Sequence, residues 1–273
     1  MMFDSNLRGK LVYSPLMTQN LLIPEEMGIP RNNQMQGTLP ERLSELASRI
    51  CYDSLGKGRS SEDFHKHLLE VEHFSVYEHY HFTVFVQLPS KCVLEVFNRK
   101  GMWVVFPKYN DDGVRITFNL RHILDWDKTP ITNERYYNSL LYNTLLQSVK
   151  PLAPKVLGHL KHKPETTEFN DSGMLVTPTD PHEVHLSVYL SGSRGFSHEQ
   201  VRHRFNMSQR STRYVDESES DWVEHPLLSK YLSATGATSE KFQSFVDASR
   251  DLYEETVASL EAWLIKSGVD KFT

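Results

Sequence analysis

Between Arg202 and Tyr214 the chain places four arginines, Arg202, Arg204, Arg210 and Arg213, around one histidine, His203. Hydroxyls stand among them at Ser208, Ser211 and Thr212. Guanidinium groups present planar donor forks that pair bidentately with phosphate and stay charged at any working pH. The hydroxyls add donors suited to a phosphate or a pyrimidine carbonyl, and Asn206 and Gln209 can read the edge of a base. Few glycines interrupt the run, so side chains rather than backbone amides of a P-loop must do the binding. The ordinary reading of such a run is a solvated basic helix face. Against it, Val201, Phe205 and Met207 are interleaved, and no acidic residue follows until Asp216. Arginines without partners, in a chain of net charge -5, call for an anion.

A second cluster is His65, His67, His73, His79 and His81, which fall within 17 residues. No HExxH or paired-carboxylate spacing accompanies them, so the expected metal is none. His79 and His81 would share one strand face, and satisfied histidines are the expectation. Cys51 and Cys92 form no CxxC and no Cys/His ligand spacing, and read as small buried apolar residues of a reducing compartment. The four tryptophans, Trp103, Trp126, Trp222 and Trp263, read as core or interface anchors. The negative net charge gathers no nucleic acid globally. No apolar run approaches the ~20 residues of a membrane-spanning helix, and residues 1–19 lack a signal-peptide core. The expectation is a cytoplasmic protein with no membrane and no nucleic acid as partner.

The elements that must position these residues follow from periodicity. Apolar Leu43, Leu46, Ala47 and Ile50 predict a helix from Pro40 to Tyr52. Ser61-Glu62-Asp63 reads as the cap of a second helix. HYHFTVFVQLP alternates as a strand closed by Pro89, and SKCVLEVFNRK follows as a helix. Residues 103–126 read as strand, turn at Asn110 to Gly113, strand, and the start of a helix. Residues 133–160 are helical in pattern, and 161–181 form a loop with one short strand, GMLV. HEVHLSVYLSG reads as a strand and SRGFSHEQVRHRF as a helix running into the arginines. Ser239 to Lys266 reads as an amphipathic core helix, with Phe242, Phe245, Val246, Leu252, Val257, Leu260 and Leu264 inward; a partner-docking helix is the alternative.

The strand-helix unit at 81–100, ending in Asn98-Arg99-Lys100, is echoed at 185–204, ending in Arg202-His203-Arg204. A duplicated half-domain explains the echo; so does the commonness of strand-helix units.

RHRFNMSQRSTRY resembles the signature of the flavin-dependent thymidylate synthases: an Arg-His-Arg triplet, a spacer, a serine, one residue, then Arg-Tyr. The spacer, 205–210, is one residue shorter than the family's usual one. Upstream, ASRICY at 47–52, HFSVYEH at 73–79 and HFTVFVQLP at 81–89 stand in the family's order. His73, Glu78 and His79 match the family's histidine segment outright, with Ser75 for its threonine and Tyr77 for its phenylalanine. ITFNLRHIL resembles the family's late Asn-x-Arg helix, but here it precedes the triplet.

The resemblance implies an α+β fold, antiparallel strands packed with helices, like that of the thymidylate synthase complementing proteins, in two related halves. The expected division is a first half at 1–130 with the degenerate triplet, a helical connector and loop at 131–180, and a second half at 181–273. It implies flavin-dependent methylation of dUMP at carbon 5, with FAD as cofactor and NADPH and methylenetetrahydrofolate as co-substrates. Such a route needs no cysteine thiolate, because the reduced flavin supplies the hydride; the protein binds, orients and polarises. His73, Ser75, Glu78, Asn119, Arg121, Arg202, His203 and Arg204 are implied as cofactor contacts. Glu199, Gln209, Arg210, Ser211, Thr212, Arg213 and Tyr214 are implied around the nucleotide, with Ser211 and Arg213 polarising its base. Implied partners are dUMP and folate, in a homo-oligomer or with a second chain supplying a further Asn-x-Arg helix. The alternatives are a partner-dependent flavin- or nucleotide-binding half, a related uridylate C5-modifying enzyme, and a nucleic-acid-binding protein that uses the basic run.

Overall fold

The computed structural model describes residues 8–14, 20–23, 35–87, 105–110, 113–128, 136–160, 173–179, 183–192, 194–202, 207–210 and 239–267. The helix expected at 90–100, and with it the triplet Asn98-Arg99-Lys100 and the comparison of two halves, lies outside them, as do Cys92, Trp103 and Trp222.

The expected α+β architecture is present, with antiparallel strands and helices. Strands β1 (Arg8–Tyr13) and β6 (Ser187–Ser191) pair antiparallel. A second sheet takes the order β3-β4-β2-β5, where β2 is His81–Val86, β3 Val105–Asn110, β4 Gly113–Asn119 and β5 Met174–Leu175. β1 is unannounced by the sequence. Its six residues acquire strand identity only by pairing with a partner far along the chain.

The β2–β4 register runs from His81 opposite Asn119 to Val86 opposite Val114. Side chains alternate across a strand, and the burial follows. Phe82, Val84 and Val86, with Val114, Ile116 and Phe118, fill one buried face. Against it pack Phe64 and Leu68 of α2 (Ser61–Glu70), Leu120 and Ile123 of α3 (Leu120–Asp127), and Leu141, Leu145 and Leu146 of α4 (Tyr136–Val149). The opposite face is more polar, with His81, Thr83 and the apolar Phe85 facing Asn119, Thr117 and Arg115. A hydrogen bond of 2.9 Å joins the two threonine hydroxyls there.

Gly113 closes the β3–β4 hairpin opposite Asn110. A Cβ there would sit 2.6 Å from the Val86 carbonyl oxygen and 2.7 Å from the Phe85 ring. Gly113→Ala is therefore expected to cost about 1–3 kcal/mol through overpacking. Thermal unfolding checks this, and an unchanged Tm would mean the hairpin base has slack.

Helix α1 (Leu39–Cys51) begins where the apolar pattern predicts, and Glu41 accepts the Thr38 backbone N–H at 3.0 Å, one half of a capping box. The Thr38 hydroxyl instead donates to the Leu152 carbonyl. The α2 cap is Ser60, one residue before the expected Ser61, accepting from the Asp63 N–H at 3.2 Å. The predicted helix at 133–160 is interrupted: α4 ends at Val149, then comes a 3-10 turn at Lys150–Leu152 and α5 (Pro154–Leu157). Pro151 and Pro154 supply no backbone N–H to continue an α-helix.

Helix α6 spans Arg194–Gln200, ending before the triplet rather than running through it. Helix α7 spans Ser239–Lys266 as the periodicity predicts, but the expectation of an inward face is corrected at Leu252 and Leu260, while Phe242, Phe245, Val246, Val257 and Leu264 lie outside the described side chains. Leu252 and Leu260, expected inward, are 65% and 56% exposed, and Trp263 and Ile265 are 61% and 76% exposed. Periodicity marks an apolar stripe; it does not supply a partner for it. No described helix is long and apolar enough to cross a membrane.

Candidate functional site

Two elements of the polar sheet face set the site's floor. The residue before α3 is Asn119, whose side-chain oxygen accepts the His122 N–H at 3.2 Å while His122 Nδ1 accepts the Asn119 N–H at 3.0 Å. The strand register puts Asn119 opposite His81, and its amide lies 3.5 Å from His81 Nε2. Asn119, implied as a flavin contact, is thus buried and engaged on both sides of its amide.

One residue into α3, Arg121 forms an ion pair through Nη1 with Glu78, and its Nε donates to Asp125 at 3.1 Å. Glu78 ends the 3-10 segment Phe74–Glu78, which brings the histidine segment against α3. At the start of that segment, His73 Nδ1 lies 2.9 Å from the Tyr52 hydroxyl, and burial lowers the His73 pKa. Ser75 lies within the same turn, half-buried.

The segment that covers this face comes from beyond β5. Glu183 takes Arg115 bidentately at 2.7 and 2.9 Å and accepts the Thr179 N–H at 2.8 Å. Two residues on, the His185 ring stacks on His81 with centroids 3.5 Å apart and planes 12° from parallel. Burial drives the His81 pKa down to about 2, with His185, His122 and His79 adding smaller effects. Burial likewise holds His79 and His122 near about 4 and lowers His185. Among the described residues His81 Nδ1 is buried without a hydrogen-bond partner. His79 precedes β2 as the cap of the 3-10 turn rather than sharing its face.

These imidazoles are neutral in the folded chain and titrate near pH ~6.5 when unfolded, so the unfolded chain binds protons more readily below that value. Stability is therefore full above about pH 6.5 and falls as pH drops toward the folded values near 4 of His79 and His122. The slope approaches about 1.4 kcal/mol per pH unit for each imidazole. Urea midpoints taken from about pH 7.5 down to about pH 5 check this, and a flat profile would contradict it.

The arginine run reaches the site through its described part, Met207–Arg210. Ser208 Oγ lies 2.8 Å from His79 Nε2, across a sequence separation of 129. Gln209 donates to Ser197 Oγ at 2.8 Å, and Arg210 Nη2 pairs with Asp53 at 2.9 Å. Arg202 donates to Glu199 at 2.7 Å, with side chains 72% and 68% exposed. The expectation that these arginines lack acidic partners is corrected at Arg202 and Arg210. Glu199 stands one helical turn back, where i,i+3 side chains meet, and Asp53 is brought in by the fold. His203, Arg204, Ser211, Thr212, Arg213 and Tyr214 lie outside the described residues.

Beside Tyr52 opens a cleft of about 230 Å³, lined by Tyr52, Ser54, Lys57, Arg59, Phe64 and His67 among others. That is smaller than the ~300–1,000 Å³ of a typical ligand pocket. Sequence reasoning missed Tyr52, Asp53, His81, His122 and His185 as site residues. His81 carried a signal in its place in the histidine cluster, and Tyr52 and His122 in the ASRICY and ITFNLRHIL pieces of the resemblance.

With the geometry in place, comparison with known proteins gives two findings. Residues 179–269 match the sequence model of the family described as thymidylate synthase complementing protein. Over 82 residues the chain is 42% identical to proteins named flavin-dependent thymidylate synthase from Mycobacterium sp. strains KMS, JLS and MCS. That stretch is 29% of this chain and 31% of each relative, so the match spans about a third of the curated relatives' length.

Proposed function

We propose that this chain serves flavin-dependent methylation of dUMP at carbon 5, a reading supported by the match of residues 179–269 to the thymidylate synthase complementing protein family. On this reading methylenetetrahydrofolate donates the carbon and NADPH the reducing equivalents. The observation that carries the reading is the contact of Ser208 with His79, which joins the arginine run to the histidine segment. The Glu78–Arg121 ion pair ties the Asn-x-Arg helix to the same place.

The residues present suit a flavin site. Neutral imidazoles, a part-exposed guanidinium at Arg121 and the unpartnered His81 Nδ1 offer polar contacts in a sheltered wall. Bound reduced FAD would supply the hydride. Around it, His73, Ser75, Glu78 and Arg121 would hold and orient the ring system, with Asn119 acting through His81. Arg202 and Arg204 would take the anionic groups, and His203 would orient the flavin. Ser211 and Arg213 would grip the nucleotide and polarise its base, beside Thr212 and Tyr214. Cys51, whose thiol burial pushes up, is a poor source of thiolate, which favours a route without cysteine addition.

Arg202 and Glu199 lie open to solvent, and the cleft at Tyr52 is of modest volume. A site completed by a second copy, or by a second chain carrying another Asn-x-Arg helix, accounts for both. The two-half organisation and a cytoplasmic location belong to the same proposal.

Carbon-5-tritiated dUMP tests it. Tritium release that requires FAD, NADPH and methylenetetrahydrofolate is the expected result. Flavin binding without release would assign the chain as a partner-dependent half. Neither binding nor release would overturn the reading.

A further inference from the structure

We infer that Asp53 and Ser208 are positioning residues: together with Arg210 they latch the arginine run onto the body of the fold, so that Arg210 holds the run and does not bind substrate. The catalytic consequence rests on the function proposed above; the latch itself does not.

Three consecutive side chains ahead of the signature tail are each engaged by a different element. Ser208 meets His79 at the entrance to β2, Gln209 meets Ser197 of α6, and Arg210 meets Asp53. Such a pattern is what pins a segment in register, since one bond lets it pivot and three spread over separate elements do not.

The post that Arg210 grips is itself fixed. Asp53 follows α1 with φ 49°, a left-handed conformation that aspartate tolerates better than most residues. The loop beyond it is held from beneath by Arg49, which donates to the carbonyls of Ser54, Lys57 and Arg59 at 3.1, 2.9 and 2.9 Å. On the other side, the His79 carbonyl accepts the Ser187 hydroxyl at 3.1 Å, fixing the second anchor between the two sheets.

The Asp53–Arg210 pair is too exposed to matter much for stability, with side chains 36% and 60% accessible. Placement is a different matter, because a displacement of about 1 Å in a positioning group can cost ~100-fold in rate. An arginine expected on the nucleotide is therefore a strut for the residues that follow it.

The test is a double-mutant cycle on the full chain with Asp53→Asn, Arg210→Gln and the pair, Asp53→Asn being compatible with the left-handed backbone. Hydrogen exchange of the Met207–Arg210 amides is expected to rise in each variant, while Tm stays near wild type. The KM for dUMP is expected to rise about tenfold in either single variant and no further in the double, because both remove one interaction. Arg210→Lys, which keeps the charge, is expected to recover part of the loss. Unchanged exchange in both single variants would overturn the latch. Raised exchange with an unmoved KM would overturn its positioning role. Raised exchange in a chain that neither binds flavin nor acts on dUMP would uphold the latch and overturn the flavin reading instead.

Discussion

Arg49→Ala is expected to lower the unfolding free energy by about 3–5 kcal/mol, the usual consequence of removing one partner of a buried ion pair. Arg49 Nε and Glu45 Oε1 are 2.7 Å apart, with side chains only 6% and 1% exposed. The guanidinium also lies 4.3 Å from the Phe64 ring centroid and gathers the three loop carbonyls beyond α1. Truncation strands the Glu45 carboxylate in the interior and frees the loop at once. Total stabilities are only ~5–15 kcal/mol, so the loss is a large share. Arg49→Lys should recover only part, because an ammonium keeps the charge but not the planar fork that meets four acceptors. Glu45→Gln combined with Arg49→Met should cost less than Arg49→Ala alone, since no charge is then left unpaired. Urea unfolding measures all three; near-wild-type stability of Arg49→Ala would mean the loop is held by something else.

Arg213→Ala is expected to cut the turnover of dUMP by about 10²–10³, the loss typical when one preorganised donor is removed from a developing oxyanion. On the proposed reading this guanidinium polarises the base, where negative charge grows as carbon 5 becomes nucleophilic. The effect should fall on kcat and kcat/KM together, marking an interaction strongest in the transition state. Arg210→Gln should act differently, chiefly on KM, because Arg210 is held by Asp53. Steady-state kinetics of the two variants separates these roles. A similar, modest loss in both would mean the run acts only as diffuse positive charge.

Much of the fold was legible because period and composition report local structure directly. The alternation in HFTVFV marked β2, the Asn110 to Gly113 turn marked the β3–β4 hairpin, and the apolar spacing of α1 marked its extent within a residue. β1 was not legible, because its strand identity resides in its pairing with β6. Nor was the exposure of Leu252 and Leu260 on α7, since a stripe of apolar residues says nothing about what covers it.

The candidate site shows the same divide. His73, Glu78 and Arg121 were named from the resemblance, and the structure gathers Glu78 and Arg121 into one ion pair. The stacking of His185 on His81 and the grip of Asp53 on Arg210 depend on chain reversals that no local window contains. Neutral buried histidines are equally invisible in sequence, because their depressed pKa values come from burial.

Titration of the purified, FAD-loaded chain with dUMP, followed through the flavin absorption band, tests most directly whether the arginine run and the histidine segment share one ligand site. A saturable shift of the band, retained in Arg213→Ala and in Arg210→Lys but with its midpoint raised about tenfold in Arg210→Gln, is the predicted result. A chain that takes up no flavin, or whose flavin band ignores dUMP at any concentration, would contradict it.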